Sequence, residues 1–377
     1  MNKTRIGVIG CGNISATYMR NVALFNTIEL TACADIVAEA ATHRAREYDI
    51  EALSVDALLA SSDVDLVLNL TIPTEHYRVT MAALDAGKHV FTEKPLAVTA
   101  ALASELVRAA RSKGLMLGSA PDTYFGAAGR RARGLIADGK VGPVIGGTAH
   151  MLGHGMEHWH PAPEFYYQEG GGPVLDMGPY YISMLLSLLG PARRVMAMSS
   201  IGNDTRTITA PGPNTDKTFA VGTETTAMAI IEFASNAIIS VGFSWDVWSH
   251  THPFIELYGR NGSLRLPDPD TYGGDVLFSE RGGPWQTLPS EDSLLGAINW
   301  PFDAPRIANY RATAIAEMAA AISLGRQPRA SGENALHALE VLEAILKSGR
   351  TGNPVEIATR YSLTEPLADD EIKSLMA

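Results

Sequence analysis

The first 120 or so residues repeat one alternation, a short apolar run followed by a stretch of helical periodicity. The apolar runs fall at 6–9, 30–34, 66–70, 90–91 and 116–117, and the helical stretches at 14–25, 37–47, 75–86 and 99–113. Strands that are apolar almost throughout must be buried on both faces, and the helices between them supply the two covers. The alternation therefore predicts an α/β fold with a doubly wound parallel sheet. Ser-Ala-Pro-Asp at 119–122 punctuates its end, so a first domain is expected over 1–122.

Residues 123–377 read differently. A helix is expected at 124–138, an extended run at 144–152, and a helix at 176–188 after the break at 170–173. Strand-like runs follow at 195–200, 225–233, 237–244, 254–258, 263–266 and 275–278, with turn signals at Asn236 and 259–262. Two helices close the chain at 309–324 and 332–346. Runs of strands beside helices predict an α+β domain over 123–377, built on a large, mostly antiparallel open sheet.

Composition excludes several function classes. With 30 Lys and Arg against 41 Asp and Glu, the net charge is −11, and no basic patch suits a nucleic acid. Arg130, Arg131 and Arg133 form the one tight basic group and read as a solvated helix face. No run approaches the roughly 18 apolar residues that a membrane span needs. The opening MNKTRIGVIGCG passes from an apolar run straight into glycines, as a strand entering a loop does, so a cytoplasmic location is expected. The two cysteines, Cys11 and Cys33, cannot make a disulfide framework and read as reduced and buried.

The first apolar run leads into Gly10-Cys11-Gly12-Asn13-Ile14-Ser15. A G-x-G turn that follows a strand and opens a helix fits a dinucleotide pyrophosphate: Gly10 permits the turn, Gly12 the close approach, and Asn13 and Ile14 offer unpaired helix N–H groups. Without a ligand the same residues would make a tight strand-to-helix turn. Asp35, a little over 20 residues past Gly12, suits the adenosine ribose hydroxyls, and Ile36 follows it where an arginine would grip a 2′-phosphate. NAD is favoured over NADP; the plainer reading of Asp35 is an N-cap for the next helix.

Three further segments carry a resemblance: Thr71-Ile72-Pro73-Thr74-Glu75-His76-Tyr77, Thr92-Glu93-Lys94-Pro95-Leu96, and Gly170-Gly171-Gly172-Pro173-Val174-Leu175-Asp176-Met177-Gly178-Pro179-Tyr180. With the glycine turn, they make a chain that resembles the glucose–fructose oxidoreductase / inositol dehydrogenase / MocA family from Arg5 to about Ile357. The resemblance implies that Thr71, Pro73, Thr74, His76, Glu93 and Lys94 line the cofactor, and that Lys94 is the acid–base. Thr74 also suits an N-cap with Pro73 ahead of it. A lysine at the carboxyl end of a parallel strand stands where open α/β sheets place their ligands, and Pro95 suits a cis turn. Asp176 would orient the substrate. The family pattern has His where this chain has Tyr180, so the usual acid–base His is replaced, and Tyr180 is expected to hydrogen-bond the reacting oxygen. Its alternative is a core-facing aromatic.

His154-Gly155-Met156-Glu157-His158-Trp159-His160 stands out. The helical spacings of zinc sites are absent, and no metal is expected. The resemblance implies that this loop borders the substrate, so His154, His158, Trp159 and His160, with Tyr124, are candidate substrate or partner-subunit contacts, since imidazoles bond hydroxyls and an indole face packs on sugar C–H groups; the plainer reading is a structural loop. Trp245 and Trp300 are weaker candidates. The expected activity is hydride transfer between NAD and a secondary hydroxyl of a sugar, cyclitol or sugar derivative. The alternatives are a glycosidase or lyase that oxidises its sugar transiently, and a sensor that binds NAD and sugar without turnover. By resemblance a homodimer or homotetramer is expected through the open face of the second sheet, with 241–248 as a candidate strand.

Overall fold

The computed structural model of the chain describes residues 3–300 and 306–376. Its first sheet is built from β1 (Thr4–Ile9), α1 (Asn13–Val22), β2 (Ile28–Ala34), α2 (Ala38–Tyr48), β3 (Glu51–Leu53), α3 (Val55–Ala60), β4 (Leu66–Asn69), α4 (Pro73–Asp85), β5 (His89–Thr92), α5 (Ala100–Ser112) and β6 (Leu117–Ser119). All six strands are parallel, in the order β3-β2-β1-β4-β5-β6. Ile6, Val8, Leu66, Leu68, Val90 and Phe91 are wholly buried, as a sheet covered on both faces requires. Each such side chain contributes about 1.5–3 kcal/mol of burial free energy. The sequence pattern missed β3 and α3, because β3 has only three residues and none is fully buried.

The second part begins with α6 (Ala127–Ala137), β7 (Val144–Leu152), α7 (Gly172–Asp176) and α8 (Gly178–Leu189). It continues through β8 (Ala192–Ser200), β9 (Thr205–Thr207), β10 (Thr218–Ala220), β11 (Thr226–Phe233), β12 (Ile238–Ser244), β13 (Ile255–Gly259), β14 (Gly262–Leu266), β15 (Val276–Glu280) and β16 (Gln286–Leu288). Then come α9 (Thr313–Ser323), α10 (Gly332–Thr351), β17 (Val355–Glu356) and α11 (Asp369–Leu375). Nine strands form one sheet in the order β16-β15-β14-β13-β7-β12-β11-β8-β17, antiparallel except for the β7–β12 pair. β9 and β10 make a separate small hairpin. Asn236 turns β11 into β12 at φ +67, a left-handed conformation that Asn tolerates.

One face of the nine-stranded sheet packs on α6, α7 and α8 and buries Val195, Ile231, Ile239, Val241 and Phe243. The other face leaves Met196, Met198, Met228 and Ile230 exposed. The run 241–248 suits either an open face or an ordinary core by its alternation, and it turns Val241, Phe243 and Trp245 into the interior. Strand alternation fixes that one face is apolar; it does not say which cover the face receives.

The chain divides into two compact units. The first is Met1–Gly126 with Ser293–Leu339 and Thr364–Ala377; the second is Ala127–Asp292 with Glu340–Leu363. This differs from a single cut after residue 122, because α9 packs on β2 and β6, and α11 docks on α9. A helix's apolar stripe shows that it is buried, not against which sheet. Among the described residues no helix is long and apolar enough to cross a membrane.

Candidate functional site

In the first unit the glycine turn has two different glycines. Gly10 has φ +103, and a Cβ there would stand 2.6 Å from the Leu70 carbonyl group, so the backbone itself excludes any other residue. Gly12 has φ −72, which any residue adopts, and no atom lies within 4 Å of its missing Cβ. What Gly12 provides is empty space at the N-terminus of α1, beside the exposed Asn13 and the half-buried Ile14. That space and those N–H groups fit a pyrophosphate.

Asp35 braces the turn from the end of β2. Its Oδ2 accepts from Cys11 N at 2.7 Å and its Oδ1 from Val37 N at 2.8 Å. It is therefore not the N-cap of α2; Val37 holds that position. Ile36 and Val37 beyond β2 and Ile72 beyond β4 are exposed, past the ends of the two strands that flank β1. Cys11 and Cys33 are buried free thiols.

The loop after β4 is shaped by a buried asparagine. Asn69 Oδ1 accepts from the Thr71 hydroxyl at 2.7 Å, and its Nδ2 donates to Thr80 Oγ1 at 3.1 Å. Pro73 is the first residue of α4, Ile72 the cap, and Thr74 lies inside the helix, so the N-cap reading of Thr74 fails. The ring that closes Pro73 removes an N–H the first turn would leave unpaired, which is why the helix starts there. His76 is buried, with Nδ1 2.6 Å from the Pro95 carbonyl oxygen and Nε2 2.9 Å from that of Thr71. It ties the β4 loop to the Glu93-Lys94-Pro95 turn.

That turn leaves β5 with a cis Lys94–Pro95 bond. Glu93 is buried; its Oε2 accepts from Lys94 N at 2.8 Å, and its Oε1 accepts from the Tyr18 hydroxyl at 2.7 Å. Burial, then the Glu93 and Asp122 charges, push the Tyr18 hydroxyl well above its ordinary value, so Tyr18 stays a donor. Lys94 is half-buried on a turn fixed from both sides. Tyr124 sits half-buried in a short 3-10 turn, Thr123–Phe125, edge-on to Phe125.

In the second unit Asp176 ends α7 and Tyr180, buried, lies in the first turn of α8. A single helix was expected here. Pro179 has no N–H to continue the ladder, and the helix breaks at Met177. Gly172, at φ +86 and with the Glu224 carbonyl 2.9 Å from a Cβ position, admits only glycine at the first residue of α7.

The histidine loop is organised by its acid. Glu157 is buried; Oε1 accepts from Arg206 Nη1 at 2.8 Å and Oε2 from the Tyr167 hydroxyl. Arg206 also bonds Asp246 and donates to the Trp245 carbonyl at 3.2 Å. Burial raises the Glu157 carboxyl, but the Tyr167 hydroxyl and Arg206 more than offset it, and the net shift is downward. His154 stacks on the exposed Trp248, ring centroids 3.5 Å apart. His158 and Trp159 are exposed, whereas His160 packs edge-on against Trp159, Phe165 and Tyr166. Among the described residues no group of three or more His, Cys, Asp or Glu is arranged to hold a metal. Trp245 is buried in a cluster with Tyr167, Ile208 and Phe219, and Trp300 lies against the Arg20 guanidinium. Arg206, Tyr167 and Asp246 went unnoticed in the sequence, since nothing local marks the partners of Glu157 49 and 10 positions away, or that of Arg206 40 positions away.

Comparison with known proteins bears on both units. Residues 4–120 match the model of an oxidoreductase family with an NAD-binding Rossmann fold, and residues 130–265 match the GFO/IDH/MocA C-terminal domain. The chain belongs to the GFO/IDH/MocA family. The 1,5-anhydro-D-fructose reductase of Ensifer adhaerens is 30% identical over 94% of this chain and 99% of its own. The myo-inositol 2-dehydrogenase of Thermotoga maritima is 24% identical over 69% and 74%. A levoglucosan dehydrogenase solved with NADH and L-sorbose superposes with a TM-score of 0.80 at 21% identity, covering 95% of this chain and all of that one. The protein is an oxidoreductase of a sugar and cyclitol family with an NAD-binding Rossmann domain, as the resemblance implied.

Proposed function

We propose that the protein transfers a hydride between NAD and a secondary hydroxyl of a sugar, cyclitol or sugar derivative, with Lys94 as the acid–base. The observation that carries this reading is the Glu93-Lys94-Pro95 turn at the carboxyl end of β5, held by Tyr18 and His76. Such a turn presents one amine from a rigid support on the side of the sheet where α/β proteins bind ligands.

Gly10, Gly12, Asn13 and Ile14 hold the cofactor pyrophosphate and Asp35 its ribose. Thr71, Pro73, Thr74, His76 and Glu93 shape the wall nearer the reacting ring. When bound, NAD supplies the hydride acceptor. Lys94 Nζ takes the hydroxyl proton as the carbonyl forms and returns it in the opposite direction. Asp176 orients the substrate and Tyr180 hydrogen-bonds the reacting oxygen. Tyr124, His154, His158, Trp159 and His160 are the proposed substrate contacts, imidazoles for hydroxyls and aromatic faces for sugar C–H groups. The relatives named for 1,5-anhydro-D-fructose and myo-inositol support a polyhydroxylated substrate.

The test is NADH formation across aldoses, cyclitols, sugar acids and glycosides, with Lys94→Ala beside the wild type. Loss of about 100- to 10,000-fold in kcat, with NADH affinity retained, is the expected result for an acid–base residue. Turnover undiminished in Lys94→Ala removes the lysine from the reaction. Glycoside cleavage without net NADH moves the assignment to transient oxidation.

A further inference from the structure

The third small position of the nucleotide turn is Ser15, and its use involves α2. Ser15 is wholly buried. Its hydroxyl donates to the Gly12 carbonyl oxygen at 2.6 Å and accepts from Arg44 Nε at 3.0 Å. Arg44 Nη2 lies 3.5 Å from the same Gly12 carbonyl, and the Arg44 side chain is 16% exposed. Its Nη1 pairs with Glu47, and Tyr48 donates to the Ala16 carbonyl at 3.1 Å. A glycine at 15 would allow the same close helix packing but could not anchor a guanidinium there.

The Gly12 peptide thus has two sides. On one lies the open space where a Cβ would meet nothing. At its carbonyl stands the Arg44 guanidinium, held to the turn by Nε on Ser15 and Nη2 near the Gly12 oxygen and paired with Glu47. A helix N-terminus offers an anion about half a unit charge. A full charge behind the same peptide, mostly out of water, adds to it and is weakly screened. Each Arg44 nitrogen already has a partner, Ser15, Glu47 or the Gly12 carbonyl, and these hold the guanidinium against the turn. We infer that Arg44 is a positioning residue for the cofactor, a half-buried charge that strengthens binding of the pyrophosphate through Ser15 and Gly12 and does not read the 2′-phosphate. Glu47 tempers that charge.

The test uses the full chain and needs no identified substrate. NADH and NADPH are titrated by nicotinamide fluorescence, and ADP-ribose and adenosine by competition with NADH. Arg44→Met is expected to weaken NADH, NADPH and ADP-ribose by one common factor of about five, and adenosine by less than about twofold. Arg44→Lys, which restores the charge without the fork, recovers most of that loss. Glu47→Gln, which frees the charge, tightens NADH. The last sign separates the proposal from a purely structural tether, because cutting a tether would weaken binding. Selective loss of NADPH in Arg44→Met would make Arg44 a 2′-phosphate reader and overturn the proposal. So would equal losses for adenosine and NADH, or weaker NADH binding in Glu47→Gln.

Discussion

A carboxylate that loses water without gaining a cation holds its proton longer, and Asp268 is in that position. Burial, then the Asp270 charge, push its carboxyl up to about 6, although the Asp270 N–H donates to it at 3.0 Å. Between the unfolded value of 3.8 and about 6, the folded chain keeps a proton that the unfolded chain has released. Stability therefore falls as pH rises through that interval and stays lower above it. Asp268→Asn keeps the acceptor and removes the charge. It is expected to stabilise the protein by about 2–3 kcal/mol at pH 8 and to do nothing at pH 3.5, in urea unfolding. An equal gain at both pH values would mean that packing, not titration, was relieved. Residues of this kind were opaque in the sequence, because burial depends on chain segments far away. The turn at Gly10, the place of Asp35 at the end of β2 and the Glu93-Lys94-Pro95 turn after β5 were legible for the opposite reason: their neighbours in sequence, a strand before and a turn or helix after, are also their neighbours in space.

At the scale of elements, the longer strands were read well, whereas the two- and three-residue strands β3, β9, β10, β16 and β17 and the ties between loops were not. β7 was expected at 144–152 and is found there, since nine residues of extended, half-buried pattern leave little choice. The histidine loop was expected to supply substrate contacts, with no metal. It is held from within by Glu157, which links it through Arg206 to β9 and to Asp246 just beyond β12. Breaking a buried pair leaves a charge without compensation, so Arg206→Met is expected to cost about 3–5 kcal/mol. Limited proteolysis should then cut first within 154–168. The Glu157 carboxyl is held below its ordinary 4.5. Its contribution is present above that value and is lost as pH falls through the lowered one, so acid should loosen the same loop in the wild type. A loop that stays protected in Arg206→Met would show that the aromatic packing of Tyr167 and Trp245 suffices to hold it.

For the whole molecule, the open face of the nine-stranded sheet is the feature with the largest consequence for assembly. Met196, Met198, Met228 and Ile230 form an exposed apolar stripe on neighbouring strands β8 and β11. Apolar stripes of this kind on soluble proteins mark contacts with other chains. A dimer or tetramer through this face is the expected state, and Met198→Glu with Met228→Glu should yield monomers by light scattering with the fold retained by circular dichroism. A monomeric wild type would dispose of that expectation. The apolar alternation that identified the strands could not say which face would remain uncovered.

The first unit draws its last parts from the far end of the chain. The Ala330 carbonyl accepts from Ser119 N, Ser331 bridges to Gly118, and Asn26 N donates to the Leu375 carbonyl. On the ribosome, then, the glycine turn and its sheet emerge first and must wait, incompletely clothed, for some 200 residues of other structure before α9 arrives to cover them. Nucleotide affinity should appear late in synthesis, all at once, and a fragment ending at residue 126 should emerge sticky and dependent on chaperones.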